Sequence, residues 1–458
     1  MKSLQYILLL SGAALLWQCE PAIDEFKPAA GQADFTTFVS IGDSYSAGYT
    51  DGALGYEGQV ASFPNIIAGQ LKTVGMQGEF KQPLTAVGSS VGTTTIDAKG
   101  NKNGFFVLKY NVDSTAIAPS PTAGDMTIFT TFIGSQAPFN NVAVPGAKSI
   151  HLVTPQYGDY TLGTGNYNPF YSRFASNPGT STIFSDGMAA QPTFVSLWIG
   201  GNDVLAYALA GGEGTVGGNG ATDITATSTF EYVINSMFST LKAAGIEGVT
   251  GNIPNINTLP YFTTVPFNGL VLSADQATAL NTGYAGYNAL AQSKGWPTLT
   301  FVEGANGFVV EDKLGYLRHA VSTDKILLSA LSYIQGSTKW GSATSIGSEY
   351  VLDATEVAAI DNATTAFNEI LESKATEYGL AFANLNQLMN EIVAGKIIDG
   401  ATYSSAFVSG NIFSLDGIHA TPRGSAIIAN EFIEAINSKY GASVPKVDIN
   451  DYRTNLFP

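Results

Sequence analysis

One cysteine and three histidines are spread over 458 residues, and that shortage narrows the chemistry before any pattern is sought. Without a second cysteine no intrachain disulfide can form, whatever compartment the protein reaches. Three scattered histidines and a lone thiol cannot build a familiar metal-ligand set, so neither a metal nor another cofactor is expected. Charge is scarce as well. Only 13% of residues are charged, and 21 Lys and Arg against 37 Asp and Glu leave a formal charge of −16. No basic cluster of the kind a phosphate backbone requires is present, which argues against nucleic acid as a partner. The acidity reads as a soluble, self-repelling surface. What is abundant points to a folded globular protein: 45% of residues are hydrophobic, enough for a large core, and 50 glycines imply many tight turns and long loops.

The longest apolar run, Tyr6 to Trp17, follows Met1-Lys2 and is too short to span a bilayer comfortably. A basic start, an apolar core and a processing site make a secretory signal. Leu15-Leu16-Trp17-Gln18-Cys19 resembles a bacterial lipobox, in which the cysteine is lipidated and begins the mature chain. The expected layout is a lipoprotein signal over residues 1–18, a tether over 19–34 whose Pro, Gly and Ala residues lack periodicity, and one folded domain over 35–458.

The folded part begins at Phe35 with Phe-Thr-Thr-Phe-Val-Ser-Ile, a β-branched and aromatic run that predicts a buried strand. It stops at Gly42-Asp43-Ser44, small residues that permit a tight turn into a helix. Thr193 to Ile199 predicts a second buried strand, ending at Gly200-Gly201-Asn202-Asp203, and Gly248 to Ile253 a third. Between them, Phe230, Val233, Ile234, Met237, Phe238 and Leu241 repeat at helical spacing. Strand, helix, strand in alternation argues for a parallel sheet with crossover helices. Further helices are expected over Phe63 to Leu71, Ser273 to Lys294, Asp353 to Tyr378 and Pro422 to Tyr440, with a last strand at Leu380 to Leu385. Two stretches read as insertions, about 87–140 and 264–350. In the first, Asn103-Gly104 ahead of Phe105 to Val112 is a hairpin signal.

A serine at the carboxyl edge of a parallel sheet can act as a nucleophile if a base, an orienting carboxylate and oxyanion donors accompany it. Ser44 is the candidate. His419 lies three residues after Asp416 in Ser414-Leu415-Asp416-Gly417-Ile418-His419. An aspartate there can accept the Nδ1 proton and leave Nε2 free for the serine. His151 and His319 lack such a neighbour and read as a solvated loop residue and a surface or core partner. Besides the Ser44 backbone N–H, the oxyanion donors on offer are the Asn202 side-chain amide and the bare backbone of Gly146 in Asn141-Val142-Ala143-Val144-Pro145-Gly146. Asp43 and Asp203 are expected to brace loops by accepting hydrogen bonds.

Taken in order, Gly42-Asp43-Ser44-Tyr45, the Asn141 to Gly146 block, Gly200-Gly201-Asn202-Asp203 and Asp416-Gly417-Ile418-His419 resemble the four signature blocks of the GDSL/SGNH hydrolases. Tyr45 stands where the family name has leucine. The chain is most similar to the large secreted lipoprotein members of Bacteroidetes-like bacteria. The resemblance implies a flavodoxin-like, three-layer α/β/α fold and a serine esterase or lipase. It also implies Ser44 as nucleophile, His419 as base, Asp416 as its partner, and Ser44, Gly146 and Asn202 as the oxyanion hole. A lipid anchor on Cys19 would place such an enzyme at the outer membrane of a Gram-negative cell, periplasmic or surface-exposed, acting on small or polymeric esters. A carbohydrate acetyl esterase, or a surface lipoprotein that only binds glycan or lipid, are the other readings.

Two motifs compete. Gly88-Ser89-Ser90-Val91-Gly92 matches a nucleophile elbow, but Thr93 to Gly104 is too rich in Thr, Gly, Lys and Asn to supply the helix that must follow. Gly212-Glu213-Gly214-Thr215-Val216-Gly217 matches a dinucleotide fingerprint without the strand that must precede it. It reads as a loop placed to serve as a mobile flap.

Overall fold

The computed structural model describes residues 26–92, 104–110, 117–336 and 339–458. The expected signal segment, Cys19, the first residues of the tether, all but the last of Thr93 to Gly104, and the last two residues of Phe105 to Val112 lie outside them.

Four apolar runs form the central sheet: Phe38–Gly42 (β1), Phe194–Trp198 (β2), Glu247–Gly251 (β3) and Ala381–Ala383 (β4). They pair in parallel in the order β1-β2-β3-β4, with Phe38 opposite Phe194 and Phe194 opposite Glu247. β1 and β2 are buried at every position, as strands covered on both faces must be. A fifth segment, residues 140–144, runs parallel to the outer edge of β1. Ser40 N donates to Asn140 O at 2.7 Å, and Val142 N to Ser40 O and Val144 N to Gly42 O at 3.0 Å. Counted along the chain, the sheet therefore reads 2-1-3-4-5, the flavodoxin-like order. That order reverses between β1 and β2. The crevice beyond the carboxyl ends of those two strands is where an open α/β sheet takes its ligand.

The connections carry α1 (Ser44–Ala47), α2 (Phe63–Leu71), α3 (Gly201–Leu209), α4 (Thr227–Ala243), α5 (Ala354–Tyr378), α6 (Leu385–Ala394) and α7 (Pro422–Tyr440). Strand side chains alternate between faces, and the core follows. Phe194 and Trp198 of β2 meet Tyr440 and Phe432 of α7, while Phe63 of α2 stacks on Phe432 at 4.9 Å and meets Trp198 edge-on. On α4 and α5, Phe230 and Phe367 stack at 4.2 Å. The ends of α5 are fixed by a capping box of Asp353 and Glu356 and by Gly379 in the left-handed region. The result is the expected three-layer α/β/α architecture.

Some local expectations change. The helix read through Ser273 to Lys294 is two helices, Ala274–Gly283 and Ala285–Lys294, broken at Tyr284. A weak apolar stripe left no reason for a single long one, and Tyr284 instead reaches Ser342 O with its hydroxyl. The hairpin signal at Asn103-Gly104 includes Asn103, which lies outside the described residues. Phe106–Tyr110 pairs with Ile117–Pro121, so the two strands join on the far side of the pair, and Gly104 N donates to Thr122 O. Helix α6 is additional: Asn384 caps it, and Leu385, Leu388, Met389 and Ile392 recur at i, i+3, i+4 and i+7 on its buried face.

The two stretches expected as insertions each contact a loop that leaves or approaches the carboxyl edge of the sheet. Phe106 N donates to Asp51 O at 2.7 Å, which docks the first hairpin beside the loop after α1. Residues of the second stretch form two small cores, one around Phe308, Val310, Ile326 and Ile346, the other around Leu299, Phe301 and Val309. The Leu328 side chain of this stretch faces Gly417.

Phe63→Ala removes a fully buried ring from the α2–α7 face and is expected to destabilise the protein by about 3–5 kcal/mol, read from the urea midpoint. A change below about 1 kcal/mol would show that this face is not close-packed.

Candidate active site

β1 ends at Gly42, and the chain turns at once into α1. Asp43 caps that helix by accepting from Tyr45 N at 3.1 Å. The N–H groups of a helix's first turn lack intrahelical acceptors, so the cap leaves the Ser44 N–H, at the first helical position, at the crevice edge. The Ser44 hydroxyl lies 2.9 Å from His419 Nε2, and His419 Nδ1 lies 2.8 Å from Asp416 Oδ2. A carboxylate can only accept, so the proton sits on Nδ1 and Nε2 is the acceptor for the serine. The residues are 375 positions apart in the chain.

Asp416 is held from all sides. Oδ1 accepts from Ile418 N and His419 N at 2.8 Å and from Ser414 Oγ at 3.0 Å, while Oδ2 accepts from His419 Nδ1 and, at 2.9 Å, from Gly52 N. Burial alone would raise its pKa. The charge of His419, its hydrogen bond and the two backbone N–H groups overcome that and hold the carboxyl well below the usual range. Helix α1 and the loop after it are stapled to the Ser414–Ala420 loop at further points. Tyr45 donates its hydroxyl to Ile418 O, Thr50 donates to Ala420 O at 2.9 Å, and Leu415 N donates to Asp51 Oδ1 at 2.9 Å. Tyr45 and Tyr49 flank the His419 ring, with centroids 5.3 and 4.8 Å away.

The Gly146 block leaves the edge segment 140–144 through a turn in which Ala147 N donates to Val144 O at 3.1 Å. With Pro145 second and Gly146 third at φ +80°, it is a type II turn, which only glycine or asparagine fills readily at that place. Asn202, on the first turn of α3, ties this block to the first. Its amide donates to Ala147 O at 3.0 Å and makes a longer, 3.4 Å contact with Asp43 Oδ2. Ser44, the Gly146 turn and Asn202 are thus neighbours at the point where the strand order reverses. Asp203 next door is fully buried and accepts from both Ser149 N and Ser149 Oγ, which pins the chain after the turn. Burial pushes the Asp43 carboxyl up to about 7.

The remaining sequence candidates fall elsewhere. His151 is not a solvated loop residue: its ring stacks on Tyr157 at 4.0 Å, its Nδ1 accepts from Lys148 N, and burial, with the charge of Lys148, pushes its pKa down to about 4. His319 uses both ring nitrogens inside the second insertion, against Gly307 O and Thr300 N. Ser90 sits in a two-residue strand, Ser90–Val91, paired with Leu54–Gly55, and not on an elbow. The glycine-rich loop after α3 is tied down and not free. Asp223 accepts from Thr215 N and Gly220 N, and Lys148 donates to Gly220 O and Asp223 O. Asn141, a strand-edge residue that the sequence offered only as part of a block, braces α1 by donating to Ser46 O and Gln82 Oε1.

The family described as GDSL-like Lipase/Acylhydrolase matches residues 38–432. Among solved structures, the chain is similar to a candidate GDSL-like lipase from Parabacteroides merdae, with 11% identity, a TM-score of 0.34 and coverage of 90% of this chain and 99% of that one. It is also similar to the extracellular lipase of Streptomyces rimosus (12% identity, TM-score 0.32, 88% and 99% covered). A third likeness is to phospholipase A1 of Streptomyces albidoflavus (13%, 0.29, 89% and 100%). No curated protein matches the chain.

Because the pKa of Asp43 is raised on folding, ionising it opposes the folded state: stability is lost as pH rises from about 4 through about 7 and is unaffected by this group below that range. Asp43→Asn keeps a capping oxygen, so its melting temperature is expected to exceed the wild type's at about pH 9 and to match it at about pH 4. Equal differences at both pH values would show that the carboxylate is not strained by burial.

Proposed function

The chain belongs to the GDSL-like lipase/acylhydrolase family and is an ester-hydrolysing enzyme, and on that premise we propose that it is a serine hydrolase of lipase or esterase type working through an acyl-enzyme. Ser44 Oγ attacks the ester carbonyl while His419 Nε2 takes its proton. Asp416 holds the imidazole in the tautomer that allows this and stabilises the imidazolium. The negative charge that develops on the carbonyl oxygen rests on the N–H groups of Ser44 and Gly146 and on the Asn202 amide. The Asn202 proton held only by the long contact to Asp43 is the one able to turn towards it. His419 then gives its proton to the leaving alcohol, and water, deprotonated by the same nitrogen, releases the acid and restores Ser44. The observation that carries the reading is the unbroken hydrogen-bonded line from Ser44 through His419 to Asp416.

The chemistry of the anchor belongs to the same reading: Cys19 carries lipid, and the enzyme works at the outer membrane, in the periplasm or on the cell surface. Cys19→Ser is expected to move the protein from the membrane fraction to the soluble one, and unchanged fractionation would remove the anchor from the proposal.

Ser44→Ala and His419→Ala are each expected to lower p-nitrophenyl ester hydrolysis by at least about a thousandfold, with the melting temperature retained, whereas Ser90→Ala keeps activity. A fluorophosphonate should label the wild type at Ser44. The proposal fails if Ser44→Ala stays active or if the folded wild type never reacts. Esters of increasing acyl length, run beside acetylated xylan and a phospholipid, sort the substrate, and a strong preference for acetyl would move it from lipid to carbohydrate.

A further inference from the structure

The loop after α1 contains a device that the four signature blocks do not account for. Thr50 and Ala53 exchange two backbone hydrogen bonds of 3.0 Å, closing a two-residue turn on Asp51 and Gly52. Both have positive φ, 51° and 79°. This is the type I′ geometry, for which Asp-Gly is a preferred pair. A Cβ on Gly52 would also lie 2.6 Å from the Phe106 ring. The turn aims two groups at the base of the site. Gly52 N donates to Asp416 Oδ2, and the Asp51 carboxylate accepts from Leu415 N, next in sequence to Asp416. Asp51 N also donates to Ser414 Oγ, which in turn donates to Asp416 Oδ1.

We propose that Asp51 is a positioning residue for the ester hydrolysis, a second buried carboxylate behind Asp416 that both fixes the Asp416 loop and strengthens His419 as a base by its negative charge. The proposal rests on the assignment of His419 and Asp416 as base and partner. Asp51 touches neither the Ser44 hydroxyl nor the crevice donors, so it acts through its neighbours. The charged groups acting on it are Asp416 and His419 from the Ser414–Ala420 loop and Arg453 from the C-terminal segment. Asp416, with five donors, stays ionised. Asp51 accepts one backbone N–H in a buried setting, and burial, reinforced by the charge of Asp416, pushes its carboxyl up to about 6. Once ionised, it favours the imidazolium that forms when Ser44 gives up its proton.

Asp51→Asn separates the charge from the geometry. Asparagine tolerates a positive φ and Asn-Gly suits the same turn, while its amide oxygen can still accept from Leu415 N. The expected result is a kcat lowered about three- to thirtyfold with KM unchanged. The acid limb of the kcat/KM profile should move down by about half to one pH unit. In a Ser44→Ala background, where no turnover is needed, the His419 ring titration followed by NMR should fall by a similar amount. Asp51→Gly also satisfies the turn and removes the acceptor. It should show the same shift with a further loss of melting temperature. A folded Asp51→Asn protein with wild-type kcat, pH profile and His419 titration would overturn the inference while leaving the hydrolase reading intact. Activity surviving in His419→Ala would instead overturn the reading on which it rests.

Discussion

Asp416 must stay ionised while buried, and an isolated carboxylate in that position would take up a proton instead. Five donors prevent it. Four come from its own loop, the N–H groups of Ile418 and His419, the His419 ring and the Ser414 hydroxyl, and one, Gly52 N, from a segment more than 360 residues earlier in the chain. That last contact makes the site a joint property of the two ends of the domain. The loop after β1 and the loop before α7 meet at Tyr45 to Ile418, Thr50 to Ala420, Asp51 to Leu415 and Ser44 to His419. A change that loosened this seam would move the proposed base and nucleophile together, because the same backbone holds both.

The sheet makes the meeting possible. A parallel sheet sends all its strand ends to one edge, and the reversal of order between β1 and β2 leaves a crevice there that no crossover fills. Three of the four blocks are exits from adjacent strands: Ser44 from β1, the Gly146 turn from the edge segment, Asn202 from β2. The fourth enters from the start of α7, whose Phe432 packs under Trp198 of β2. Core packing of α7 on the sheet therefore also sets the height of the His419 loop. Polar bracing completes the frame. Asn141 fixes α1, Asp203 fixes the chain beyond the Gly146 turn, and Lys148 fixes the loop after α3.

Elements with strong periodicity were legible residue by residue. Phe63–Leu71 and Pro422–Tyr440 have the bounds that their apolar spacing predicts, and Ala354–Tyr378 starts and stops at its cap signals. Weak or short signals misled. The stripe through 273–294 could not reveal a break at Tyr284, since either helix alone satisfies it. Residues 140–144 contain Val-Ala-Val, too little to distinguish an edge strand from a loop, and their role depends on pairing with β1. Asp51-Gly52 is a turn signal that lies beyond the Gly42 to Tyr45 block, and nothing local in the sequence links it to Asp416.

By itself the sequence determined which residue types could do chemistry: three histidines, of which one follows an aspartate by three residues, and a serine placed after a buried strand. It determined the α/β class through the period of its apolar residues, because burial on one or two faces leaves that period in the chain. Only the tertiary structure decided which groups touch. Hydrogen bonds between Gly52 and Asp416, Asp51 and Leu415, or Asn202 and Ala147 join residues with no local relation, and a range of about 3 Å cannot be read from spacing of hundreds of residues. Burial, too, was a tertiary outcome. It turned His151 from an expected loop residue into a stacked, neutral ring, and it gave Asp43, Asp51 and Asp416, three carboxylates of the same intrinsic acidity, three different acidities.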